Sequence, residues 1–132
     1  FYPFLDAVYF DIKLMDDAKH RHYCGASNKT ILNNFSRLFQ CSREKGVEIL
    51  PRTPLIPGIT DTTENLQAIA DFLKSLDVEQ AELLEYHPMW REKNRKLGLP
   101  RLADEPEELD AFSSRGHLDR GRQIFLDAGI EV

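Results

Sequence analysis

Thiol chemistry is scarce in this sequence of 132 residues: Cys24 and Cys41 are its only cysteines, they lie far apart, and they form no C-x-x-C pair. Two thiolates fall short of the three or four that hold an iron-sulfur cluster, so both read as ordinary helix thiols. No apolar run approaches the roughly 20 residues needed to span a bilayer. The opening FYPFLDAVYF also lacks the charged start and small-residue cleavage site of a signal peptide. A cytoplasmic chain without a membrane span is therefore expected. Basic residues are outnumbered, 17 against 22 acidic, for a net charge of -5, and no Lys and Arg cluster is interleaved with aromatics. Nucleic acid is not expected as a partner. Repeats and low-complexity tracts are missing too, which removes a solenoid from consideration.

What remains is ordinary globular material, 42% hydrophobic, enough for one compact core and too little for two. Residues 1–132 are expected to form a single domain or part of one. Ala7-Val8-Tyr9-Phe10 is a continuous apolar run ending in Asp11-Ile12-Lys13, the pattern of a parallel strand over 6–13 that is buried on both faces. Asn28 is placed to cap a helix over 29–45, where Ile31, Leu32, Phe35, Leu38 and Phe39 recur at helical spacing and Gly46 follows as a stop. A second strand starts at Val47, runs past Pro51 and breaks at Pro57-Gly58. Asp61 and Glu64 have the spacing of a capping box for a helix carrying Leu66, Ile69, Ala70 and Leu73. A third strand is predicted over 81–87. A polar segment over 88–106 then leads to a last helix with Leu109, Phe112, Ile124 and Phe125, which Gly116 and Gly121 weaken and Gly129 ends before a short strand at 130–132. Strands alternating with helices give an α/β fold whose strands are parallel.

Alternation puts Tyr9, Asp11 and Lys13 on one face of the first strand and Val8, Phe10 and Ile12 on the other, packed on helices. Asp11 and Lys13 then stand at the C-terminal end of the sheet, where α/β folds bind ligands, with Arg52 and His87 near the ends of the next two strands. Spacing alone favours a plainer reading, in which Asp11 and Lys13 are a solvated ion pair, Arg52 a surface cation and His87 an ordinary turn histidine.

The segments Tyr9-Phe10-Asp11-Ile12-Lys13, Gly25-Ala26-Ser27-Asn28, Arg52-Thr53-Pro54-Leu55-Ile56-Pro57-Gly58 and Glu82-Leu83-Leu84-Glu85-Tyr86-His87, with Leu97-Gly98 after them, resemble in order and spacing the motifs of glycyl radical enzyme activases. These are radical S-adenosylmethionine (SAM) enzymes of the pyruvate formate-lyase activating type. The resemblance implies the C-terminal half of a partial (β/α) barrel with about three to four parallel strands. In the full-length enzyme a 4Fe-4S cluster cleaves S-adenosyl-L-methionine to a 5′-deoxyadenosyl radical, which takes hydrogen from a glycine of a partner enzyme. A donor such as flavodoxin or ferredoxin supplies the electron. By motif position Asp11, Ile12 and Lys13 look like the stretch beside the SAM ribose and methionyl carboxylate, with Asp11 a candidate ligand for a monovalent cation, and His87 looks like the histidine on the nucleoside side. Carboxylate oxygens suit hydroxyls or a cation, and an ammonium suits a carboxylate. For Arg52 the motif leaves open SAM, the partner's peptide, or a salt bridge to Glu48 or Glu85. Ser27 and Asn28 are read as helix caps, Tyr9 as a packing residue, and Trp90 as a partner contact or a cover for the local core.

Three positions depart from the resembled pattern: Glu85 stands where Pro is common, Pro51 where an apolar strand residue is common, and Ala26 where Val is usual. No C-x-x-x-C-x-x-C occurs, so the natural protein is expected to be longer, this piece is expected to be inactive alone, and its exposed sheet edge favours self-association. Two other readings stand beside this one. A non-radical (β/α) barrel fragment would use Lys13 as nucleophile or phosphate ligand, although no phosphate-binding glycine-rich loop is evident. A stand-alone binding module would grip a partner through its loops.

Overall fold

A computed structural model describes residues 4–99, 109 and 115–132. Three parallel strands form one sheet in the order β1-β2-β3, with β1 at Ala7–Asp11, β2 at Glu48–Pro54 and β3 at Glu82–Leu84. Between β1 and β2 come helices α1 (Asp17–Cys24) and α2 (Lys29–Lys45), and α3 (Thr63–Lys74) joins β2 to β3. Two further helices follow, α4 (Met89–Lys96) and α5 (Arg115–Asp127). Gly129, at φ 83°, turns the chain out of α5, and Glu131 makes one parallel bridge to Gln80 where the short last strand was expected.

The helices cover one face of the sheet. Ile12, Ile49 and Leu55 from the strands meet Phe35 of α2, Leu66, Ile69 and Leu73 of α3 and Phe125 of α5 in a single buried cluster, with the Phe10 ring edge-on to Phe35 at 5.2 Å. Burying each such side chain is worth about 1.5–3 kcal/mol, so this cluster fixes the sheet to its helices. The opposite face is open among the described residues: Tyr9 is 60% exposed and Asp11 and Lys13 are exposed beside it. The first strand is thus buried on one face, where its continuous apolar run had predicted two. Tyr9, expected to pack, instead lies under the Arg52 guanidinium at 5.0 Å.

Pro51 fits the middle of β2 because of register. Ile12 N–H donates to the Arg52 carbonyl, so the main-chain groups of residue 52 face β1 and those of residue 51 face the β3 side. Paired β3 residues begin only at Glu82, opposite Arg52, so no ladder bond is lost at Pro51. Gly121 gives α5 its close seat: a Cβ there would lie 3.1 Å from Leu83 Cδ1. The two glycines expected to weaken this helix lie within a continuous α5, whereas Leu109 stands outside it and Phe112 lies outside the described residues.

Capping differs from the sequence expectation at two helices. Thr62, not Asp61, caps α3 by accepting from Asn65 N–H at 3.3 Å. Asn28 precedes α2 without a side-chain cap, and its amide donates to the Leu14 and Met15 carbonyls at 3.0 and 2.7 Å. Ser27 donates to Asp17 at 2.5 Å and accepts only weakly from Lys29 N–H at 3.3 Å.

Candidate functional site

A second apolar cluster, Leu14, Ile59, Tyr86 and Leu109, with Tyr23, Ile56 and Trp90 against it, sits beyond the C-terminal ends of the strands. It floors a cavity of about 690 Å³ whose rim includes Lys13, Thr60, Glu85 and His87. Tyr86 is pinned there by donating to the Leu109 carbonyl at 2.8 Å and accepting from the Trp90 indole N–H. Trp90 is therefore part of the local floor, one of the two roles open to it from sequence. It belongs to α4, a helix that lies in the segment read as polar and irregular.

The rim is held by an amide, a hydroxyl and a carboxylate that are all buried. Asn65 accepts from Met15 N–H at 3.0 Å and donates to the Lys13 and Thr60 carbonyls at 2.9 and 2.8 Å, which locks the chain after β1 to the loop after β2. The Thr60 hydroxyl accepts from Ile56 N–H at 2.7 Å and donates to the Pro54 carbonyl. Asp61, 4% exposed at its side chain, accepts from Gly58 N–H at 2.8 Å and receives His117 Nδ1 of α5 at 2.5 Å, with Arg120 3.7 Å away. None of these groups was singled out for such a role in the sequence. Their signal was a polar residue at an otherwise apolar helical position, as for Asn65 beside Leu66 and Ile69.

On the open sheet face Asp11 and Arg52 are register partners. Arg52 Nε and Nη2 donate to Asp11 Oδ1 at 3.2 and 3.0 Å, so its acidic partner is Asp11 and neither Glu48 nor Glu85. Side-chain exposures of 30% and 38% keep this ion pair to about 0.2–1 kcal/mol. Both bonds fall on Oδ1, which leaves Oδ2 as an acceptor. Lys13 follows on the same face, two residues along, and turns into the cavity with His87. The Ile12 side chain is 1% exposed in the helix-facing core, so its main chain alone can serve a ligand. Its carbonyl faces position 54 of β2 in the ladder, where Pro54 has no N–H to give. Asp11 and Arg52 lie outside the cavity lining, and Lys13 and His87 inside it.

The two cysteines are both exposed, Cys24 at the end of α1 and lining the cavity, Cys41 within α2 and away from it. Among the described residues no group of three metal-binding side chains occurs, and no helix is long and apolar enough to cross a membrane.

No family profile matches the chain. Individual proteins do. It is 32% identical over 126 residues to the 4-hydroxyphenylacetate decarboxylase activating enzyme of Clostridioides difficile (strain 630), covering 96% of this chain and 38% of that protein. It is 38% identical over 130 residues to the pyruvate formate-lyase 2-activating enzyme of Escherichia coli (strain K12), covering 96% of this chain and 41% of that one. A crystal structure of a domain of pyruvate-formate lyase-activating enzyme from Bacteroides vulgatus ATCC 8482 superposes with a TM-score of 0.72 at 25% identity, over 98% of this chain and 67% of that one. The chain thus spans about two fifths of the length of these curated relatives.

Proposed function

Because the chain belongs to the glycyl radical enzyme activating enzymes, we propose that it supplies the substrate-nucleotide side of a radical SAM activase whose cluster is held elsewhere in the full-length protein. The observation that carries the reading is the shared cavity: Lys13 from the end of β1 and His87 from beyond β3 line one space at the C-terminal ends of parallel strands. Its volume of about 690 Å³ is that of a small-molecule site, largely apolar with a few polar groups at the rim.

The residues present fit S-adenosyl-L-methionine. Lys13 offers three donors to the methionyl carboxylate. His87 stands on the nucleoside side. Asp11, steadied by Arg52, keeps Oδ2 for a ribose hydroxyl or a monovalent cation, and the Ile12 carbonyl, opposite Pro54, is a second acceptor beside it. These residues do not fit a 4Fe-4S cluster, since Cys24 and Cys41 lie on separate helices and are two thiols where three or four are required. Held elsewhere in the full-length protein, a cluster would supply the electron for cleaving SAM, the chemistry that precedes hydrogen abstraction from glycine. The work of this chain is to bind and orient the nucleotide and, through the cavity mouth, to admit a glycine-bearing loop of a glycyl radical enzyme. Reduction of the cluster would come from a flavodoxin- or ferredoxin-like donor.

Cys24 offers a direct test. In the cluster-loaded full-length protein, SAM should slow alkylation of Cys24 by iodoacetamide while leaving Cys41 unchanged, as read by peptide mass spectrometry, and Lys13→Ala should abolish the protection. Equal alkylation of Cys24 with and without SAM would overturn the assignment of the cavity.

A further inference from the structure

Glu85 is a position where the sequence departs from the motif it resembles, and it lies on the cavity. It follows β3 directly, is exposed, and shares the rim with Lys13 and His87. Apart from these three, the described residues of the lining carry no side chain that is charged at neutral pH, and they are dominated by residues such as Leu14, Ile56, Ile59, Tyr86 and Trp90. An ammonium and a carboxylate on one such cavity would ordinarily pair with each other. Here neither Lys13 nor Glu85 enters a salt bridge among the described residues.

Sheet order is the reason. Lys13 follows β1 and Glu85 follows β3, with β2 between them, so their main chains are separated by two strand spacings, about 10 Å. Among the described residues each of the two lines the cavity without a counter-ion, beside apolar walls that strengthen electrostatic attraction relative to bulk water. Of the other described carboxylates nearby, Asp11 is engaged by Arg52 and Asp61 by His117 and Arg120, and neither lines the cavity. A ligand with an anion at one end and a fixed cation a few bonds away satisfies both groups together.

Resting on the SAM reading above, we propose that Glu85 is a specificity-determining residue that faces the sulfonium cation of the bound nucleotide while Lys13 takes its carboxylate. A sulfonium has no proton to donate, so what recognises it is nearby negative charge rather than hydrogen-bond geometry. Discrimination follows from that. S-adenosylhomocysteine has the same nucleoside, ammonium and carboxylate, and lacks only the methyl group and the positive charge on sulfur, so Glu85 favours the charged substrate over its neutral thioether.

Calorimetric titration of the cluster-loaded full-length protein with both compounds tests this. Glu85→Gln keeps size and removes the charge, exchanging one acceptor oxygen for an amide donor, and the exposed position makes it compatible with folding. The expected result is a loss of SAM affinity of roughly three- to tenfold, with S-adenosylhomocysteine affinity changed by less than about twofold. If the wild-type protein binds both and Glu85→Gln weakens both equally or neither, the Glu85 assignment is wrong while the cavity assignment stands. Wild-type protein that binds neither would remove the SAM reading, and this proposal with it.

Discussion

At the scale of single residues, the side chains that shape the site are mostly neutral or paired. Asp17 shows how far such pairing reaches: the Ser27 hydroxyl, the Arg21 guanidinium and Asn28 N–H all donate to it, and together they lower its pKa from 3.8 to about 2. A carboxylate whose folded pKa is depressed adds stability that is present above its unfolded value and is lost as pH falls through the folded one. The junction between α1 and α2 should therefore loosen between about pH 4 and pH 2, and Asp17→Asn should flatten that part of the stability profile, measured by urea unfolding at several pH values. A profile unchanged by the substitution would show that these bonds do not hold the junction. That Asp11, Lys13, Arg52 and His87 stand near the strand ends was legible from strand alternation and motif order. The roles of Asn65 and Asp61 were not, because what they do depends on carbonyls and helices distant in sequence.

Among the elements, α5 depends on one small residue. Its packing on β3 and α3 passes through Gly121, where Leu83, Leu66 and Leu55 lie within 3.1–3.7 Å of an added Cβ. Alanine there sets a gain in helix propensity of up to about 1 kcal/mol against a contact that the end of the Leu83 side chain can relieve. A larger residue has no such escape. Gly121→Leu should lower stability by about 1–3 kcal/mol through overpacking, seen as a drop in melting temperature, and an unchanged Tm would mean that α5 is not seated on Leu83. Patterning found α2 and α3 but missed α1 and α4. Both are short and polar: α1 reads DAKHRHYC with His20 its sole buried residue, and α4 reads MWREKNRK, so neither shows a clear apolar stripe. What stabilises α1 is its ends, the Asp16 cap on Lys19 N–H and the Gly25 turn at φ 75°.

For the molecule as a whole, the notable asymmetry is a sheet with helices on one face and an open opposite face. Among the described residues nothing pairs with the outer edge of β1, and Tyr9 and Asp11 stand exposed along it. Unpaired strand edges template association. This chain on its own is expected to self-associate, with a sedimentation coefficient that rises with concentration. A monomer at every concentration would show that the edge is protected by something other than pairing.

By itself the sequence determined the parallel α/β order, the helix-facing core at Ile12, Phe35, Leu66, Ile69 and Phe125, and the group of strand-end residues that resembles a SAM site. Periodicity and motif spacing are local properties, written in residues a few positions apart. Only the tertiary structure decided that Lys13, Glu85 and His87 share a cavity while Asp11 is paired with Arg52 beside it, and that Trp90 and Leu109 close its floor. Those relations depend on strand order, register and the seating of α4 and α5, which arise from packing between segments as distant in sequence as Leu55 and Gly121.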